Sequence, residues 1–178
     1  MTITPIRDAA DTVLTLPGFI EPAAVETTPV RSVFVCSGNA PSPLYLLDGD
    51  RRQYLPASFV GSVFNVSVIE RDYAQAEGLV QKLVLNCLVA NEPYAFWMGL
   101  NTWAAQSLLQ ALTLLDADDL QSPLLFKAVK GMRTTFFNVA VHTDGEWKTV
   151  TIAEDNLKCK LEADELELMA GAVNELLN

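Results

Sequence analysis

Between Gly61 and Ile152 the sequence alternates apolar and polar residues repeatedly and breaks into a helical rhythm only once. In Val63-Phe64-Asn65-Val66-Ser67-Val68-Ile69, Phe64, Val66 and Val68 share one face while Asn65 and Ser67 share the other. That is the two-residue period of a half-buried strand. Leu79, Leu83, Leu85, Cys87 and Val89 repeat the pattern against Lys82 and Asn86. Ala90-Asn91-Glu92-Pro93 then turns the chain into a third strand, Tyr94–Gly99. Asn101 or Thr102 can cap a helix by accepting from its first free amides. Ala104, Leu108, Leu112 and Leu115 follow at spacings of four, four and three, which predicts one amphipathic helix over Asn101–Leu115.

Asp116, Asp118 and Asp119 come next, at the end where a helix dipole disfavours negative charge, and read as a solvated turn. Ser122-Pro123 opens a fourth strand, Leu124–Val129, and Lys130-Gly131-Met132-Arg133 turns it into a fifth, Thr134–Val141. Asp144-Gly145 is a hairpin signal leading to a short last strand, Trp147–Ile152. The order is therefore three strands, a helix, two strands and a short strand behind.

The flanks are of a different kind. Residues 1–30 contain Pro5, Pro17, Pro22 and Pro29 without clear periodicity, and read as a flexible leader. Arg31–Cys36 is a short β-prone run, and Leu44–Leu47 with Gln53–Leu55 flanks Asp48-Gly49-Asp50 as a hairpin. Residues 31–155 thus read as one mainly β domain with an N-terminal hairpin extension. Residues 156–178 read as an acidic amphipathic helix, with Leu166, Met169, Ala170, Val173 and Leu177 along one side.

Composition narrows the function. Half of the 178 residues are apolar, enough for a proper core, and no apolar run reaches the roughly 18–20 residues of a membrane span. The first residues lack the basic start and apolar centre of a secretory signal, so a cytoplasmic protein without a membrane partner is expected. Cys36, Cys87 and Cys159 are far apart and show no metal-ligand spacing. His142 is the only histidine, and no phosphate loop or nucleophile motif occurs, so neither catalysis, a metal nor a cofactor is expected. The net charge is −10, distributed as −3 over residues 1–49, −1 over 50–133 and −6 over 134–178. The ends are acidic and the middle is nearly neutral.

The cations of that middle gather with flat side chains. Arg71 and Tyr73 lie between the first two strands, and Lys82 and Asn86 on the polar face of the second. Tyr94 and Trp97 occupy opposite faces of the third strand, one of which must be core. Lys127 is on the fourth strand, Lys130 and Arg133 are in the turn after it, and Arg51 and Arg52 are at the hairpin tip. Cations along a groove and rings for stacking are what a single-stranded nucleic acid needs.

In element order residues 57–152 resemble the OB-fold single-stranded-DNA-binding proteins of bacteria and phages. The resemblance implies a five-stranded OB-like Greek-key barrel with a helix between strands three and four. It implies a ligand, single-stranded DNA or alternatively RNA, on strands two and three and the adjoining loops. It also sets an expectation at the C-terminus, where those proteins often carry a flexible acidic tip; here an amphipathic helix suggests packing or self-association. The alternative reading is an acidic protein-interaction module, or a DNA mimic that binds a protein partner.

Overall fold

The structure is a computed structural model that describes residues 29–72 and 78–178. Nine strands are arranged as β1 (Arg31–Val35), β2 (Leu44–Asp48), β3 (Arg51–Tyr54), β4 (Ser58–Asp72), β5 (Leu79–Val89), β6 (Glu92–Gly99), β7 (Leu124–Lys130), β8 (Thr135–Thr143) and β9 (Glu146–Thr149). The helices are α1 (Trp103–Leu112), α2 (Ala117–Gln121) and α3 (Ala163–Leu177). The sheet order is β3-β2-β1-β6-β5-β4-β7-β8-β9.

Within it β7-β4-β5-β6 has the fourth-first-second-third order of a Greek key. The strand that makes this possible is β4. Its first residues, Ser58–Gly61, pair with β7, and from Ser62 to Asp72 it pairs with β5. Gly61 sits where the partners change, and a Cβ there would come within 3.0 Å of the Leu88 carbonyl.

The sheet is open where the element order suggested a closed barrel. The free side of β6 is taken by β1, which pairs with it in parallel through Arg31–Tyr94 and Phe34–Trp97. The facing stretch of β8 is held by side chains. The amide of Phe137 donates to Ser107 Oγ (2.9 Å), and Thr135 Oγ1 donates to the Cys36 carbonyl (2.7 Å). Backbone groups that a closing strand would have paired are thus satisfied by a helix and a loop.

One face of each of β1, β2, β4, β5, β6, β7 and β8 turns to a shared core. Val33, Leu44, Val66, Leu85, Phe96, Phe126 and Phe137 meet there with Leu108 and Leu112 of α1 and Leu166 and Val173 of α3. Thr102 caps α1, its hydroxyl accepting from the Ala105 amide. The helix is buried on nearly all sides. Gln106 accordingly satisfies itself on the segment before α3, donating to the Cys159 carbonyl (2.7 Å) and accepting from the Leu161 amide (3.0 Å).

Two local readings change. The helix after Asn101 stops at Leu112, and the Asp116 cluster begins a new one, with Asp116 capping α2 by accepting from the Asp119 amide (2.9 Å). At a helix start these carboxylates suit the dipole they would oppose at an end. Phe64 leaves the face of Val66 and Val68, because a β-bulge between Val63 and Asn65 gives β4 one extra residue there. Phe64 is 50% exposed while Val66 is buried.

Candidate nucleic-acid interface

The strand faces turned away from the core hold four of the seven candidate cations, Arg52, Arg71, Lys82 and Lys127. Register fixes which residues share that side. Tyr54 pairs with Tyr45, Tyr45 with Phe34, Phe34 with Trp97 and Trp97 with Val84. Four aromatic side chains therefore form one row across β3, β2, β1 and β6, one per strand. Phe34 and Tyr45 stack at 5.6 Å between centroids with planes 30° apart, and Tyr45 and Tyr54 lie at 6.1 Å and 55°. With neighbouring strands about 4.8 Å apart, the row is about 14 Å long.

Arginines lie over two rings of the row, Tyr45 and Trp97. The Arg52 guanidinium is 4.7 Å from the Tyr45 centroid, and that of Arg71 is 4.5 Å from the Trp97 centroid. These are cation–π distances. The Tyr54 hydroxyl and then Tyr45 raise the Arg52 pKa, so its charge is secure. Burial pushes the Tyr45 phenol up against the opposing pull of Arg52. The indole Nε1 of Trp97 is buried and has no hydrogen-bond partner among the described residues. Lys82 and Asn86 lie on the same side of β5, beside Gly99 and Ala95 respectively.

The strand carboxylates all lie on one side, which Arg31, Arg51, Lys130 and Lys148 share, and the other side carries cations alone. Among the described strand residues, Arg52, Arg71, Lys82 and Lys127 take the side away from the core. Asp48, Glu70, Asp72, Glu92 and Glu146, which are all the strand carboxylates, have the other parity. In a chain of net charge −10, cations are thus the only charges that the described strands place on the helix-free face of β3-β2-β1-β6-β5.

Several expected residues sit elsewhere. Tyr94 has the core parity of β6, partly buried beside Phe96, and its hydroxyl accepts from Arg31 (3.3 Å), which also pairs with Glu92 (3.4 Å). Arg51 has the opposite parity to Arg52. Lys130 donates to the Ala40 carbonyl. Lys127 is on the outer side of β7, beside Ser58 and Asn138. Arg133 lines a cavity of about 220 Å³ with Cys36, Gly99 and Asn101, at the end of β6 beyond Trp97. Arg71 is within β4 rather than in a loop, and Tyr73 lies outside the described residues.

Phe34, Tyr45 and Tyr54 were not among the expected site residues. Their signal was present in the alternation of 31–56, but the strands of that hairpin extension are short and their partner strand was unknown. His142 is exposed on β8, edge-on to Trp147 at 5.1 Å. Among the described residues no group of three or more His, Cys, Asp or Glu side chains is placed to hold a metal. Likewise no helix among them is long and apolar enough to cross a membrane.

Compared with protein-family models, curated proteins and solved structures, the chain matches none.

Proposed function

We propose that this protein binds single-stranded nucleic acid, DNA in the first instance, across the helix-free face of β3-β2-β1-β6-β5. The observation that carries the reading is the aromatic row with one arginine over Tyr45 and another over Trp97, on a strand face whose only strand charges among the described residues are positive. Every base has a π-face, so rings spaced one per strand accept successive bases with little sequence preference. Arg52, Arg71 and Lys82 would meet the phosphates. The acidic remainder of the chain opposes non-specific adhesion.

The OB-like reading draws support from the Greek-key order and from β4 being shared between two partner strands. OB barrels are partly open, and they bind on strands two and three. Those are β5 and β6 here, which carry Lys82, Asn86 and Trp97. The β1–β3 extension would lengthen that surface and add three rings to it. The role is binding rather than catalysis.

The test is a titration of labelled oligo-dT by fluorescence anisotropy over a range of salt. Saturable binding that weakens as salt rises is expected. No anisotropy change at low salt and micromolar protein would end the proposal.

A further inference from the structure

A second surface is opposite in charge and independent of the first. We infer that the open edge of β4, beside α3, binds an extended basic peptide from another protein as an added strand. After Gly61, β4 has left β7, and along 62–72 its pairing is to β5 alone. In a strand the backbone groups of alternate residues point to the same edge. Val66 shows which edge this is. Its amide donates to Asn174 Oδ1 (2.8 Å) and its carbonyl accepts from Asn174 Nδ2, so α3 imitates a neighbouring strand at one residue.

Val68 and Glu70 present their N–H and C=O groups in the same direction, and no described residue bonds to them. They open on a groove of about 470 Å³ between Val66, Val68 and Glu70 on one wall and Glu167, Gly171 and Asn174 on the other. An unpaired edge of this kind is a template for strand addition.

Charge selects the occupant. Glu70 and Glu167 flank the groove, and both accept from Gln81 Nε2, at 3.4 and 3.0 Å. Asp164 and Glu175 continue the acidic surface along α3 beside Leu168, which is 75% exposed. Among the described residues no Lys or Arg lines either cavity. Residues 1–28 carry one arginine and four carboxylates, and a second copy of β4 would bring its own Glu70, so both are repelled. A foreign segment with Lys or Arg at alternate positions is complementary.

The probe is a fluorescein-labelled peptide of the full sequence Lys-Val-Lys-Val-Thr-Val-Lys-Thr, titrated into the full chain. Its controls are a version with Asp for each Lys and one with proline at the central Val, which cannot pair. The two controls should bind at least about tenfold more weakly. Saturating peptide should slow amide exchange at Val68 and Glu70. A Cβ at Gly171 meets nothing within 4 Å, so Gly171→Leu starts its side chain from open space on the groove wall. That variant should melt about 2 °C higher, bind oligo-dT unchanged, and lose at least about tenfold in peptide affinity. The inference is overturned by failure of the basic peptide to bind, by equal binding of the acidic or proline peptide, or by undiminished binding to Gly171→Leu. A dimer by light scattering whose Val68 and Glu70 amides are already protected from exchange without peptide would overturn it as well.

Discussion

Arg71 reaches over β5 to lie above Trp97, two strands away, with its guanidinium carbon 4.5 Å from the indole centroid. The arrangement keeps a delocalised cation against a ring face, and no described residue bonds to its N–H edge, the edge that fits a phosphate. Trp97 in turn is held between Phe34 and Val84 by backbone register. Base stacking and phosphate binding would therefore be coupled at one point of the face.

Trp97→Ala is expected to weaken oligo-dT binding by about 1–3 kcal/mol, or about 5- to 150-fold. Arg71→Gln should weaken it in the same direction and relieve the quenching of Trp97 fluorescence by the ligand. Wild-type affinity in Trp97→Ala would place the ligand elsewhere.

Salt dependence separates the cations on this face from the rest. Removing one cation that meets a phosphate should flatten the slope of log K against log salt by about 0.7 for a single strand. Arg52→Ala should show that flattening, whereas Lys130→Ala, whose amine is held by the Ala40 carbonyl, should not. Equal flattening by both would mean that overall charge, not this face, attracts the ligand.

Ser107 tests how the seam between α1 and β8 is held. It is 2% exposed, and its hydroxyl donates to the Trp103 carbonyl (2.7 Å) while accepting from the Phe137 amide. Ser107→Ala leaves that buried amide unpaired, at a cost of about 1–3 kcal/mol. Thermal unfolding should shift down by about 2–4 °C for each kcal/mol, with oligonucleotide affinity unchanged in the folded protein. A melting temperature equal to wild type would show that the amide finds another partner.

Cys87 gives a prediction in pH. Burial pushes its thiol up to about 12 from an ordinary 9.0. Between those values the unfolded chain releases a proton that the folded chain retains, so this group's contribution to stability is complete below about pH 9 and is lost as pH rises towards 12. The loss approaches about 1.4 kcal/mol per pH unit within that window. Denaturant melts of wild type and Cys87→Val should diverge in slope only above about pH 9; parallel curves would refute the assignment. Alkylation at about pH 8 should modify exposed Cys159 well before Cys87.

How much of this was legible depended on whether the information was local. Leu79–Val89 read correctly to the residue because its alternation ends in a turn that requires positive φ, at Ala90 and Asn91. The shared side of Lys82 and Asn86 followed from the same alternation. The pairing of β1 with β6 was not legible, since 63 positions separate Arg31 from Tyr94 and nothing in Arg31–Val35 names its partner. Without that pairing, Phe34, Tyr45 and Tyr54 were apolar residues of an appendage. The opposed parities of Tyr94 and Trp97 were visible, but choosing between them needed the position of the core.

Phe64 carries the last consequence. Before it, the odd-numbered residues of β4, Gly61 and Val63, face inward; after it, the even-numbered ones, Val66 and Val68, do so. The extra residue thus resets the phase of the strand. Had β4 kept Phe64 and run straight, Val66 and Val68 would face water and Arg71 would point at the core. The polarity of the proposed binding face is therefore set upstream, by one phenylalanine that is itself half exposed.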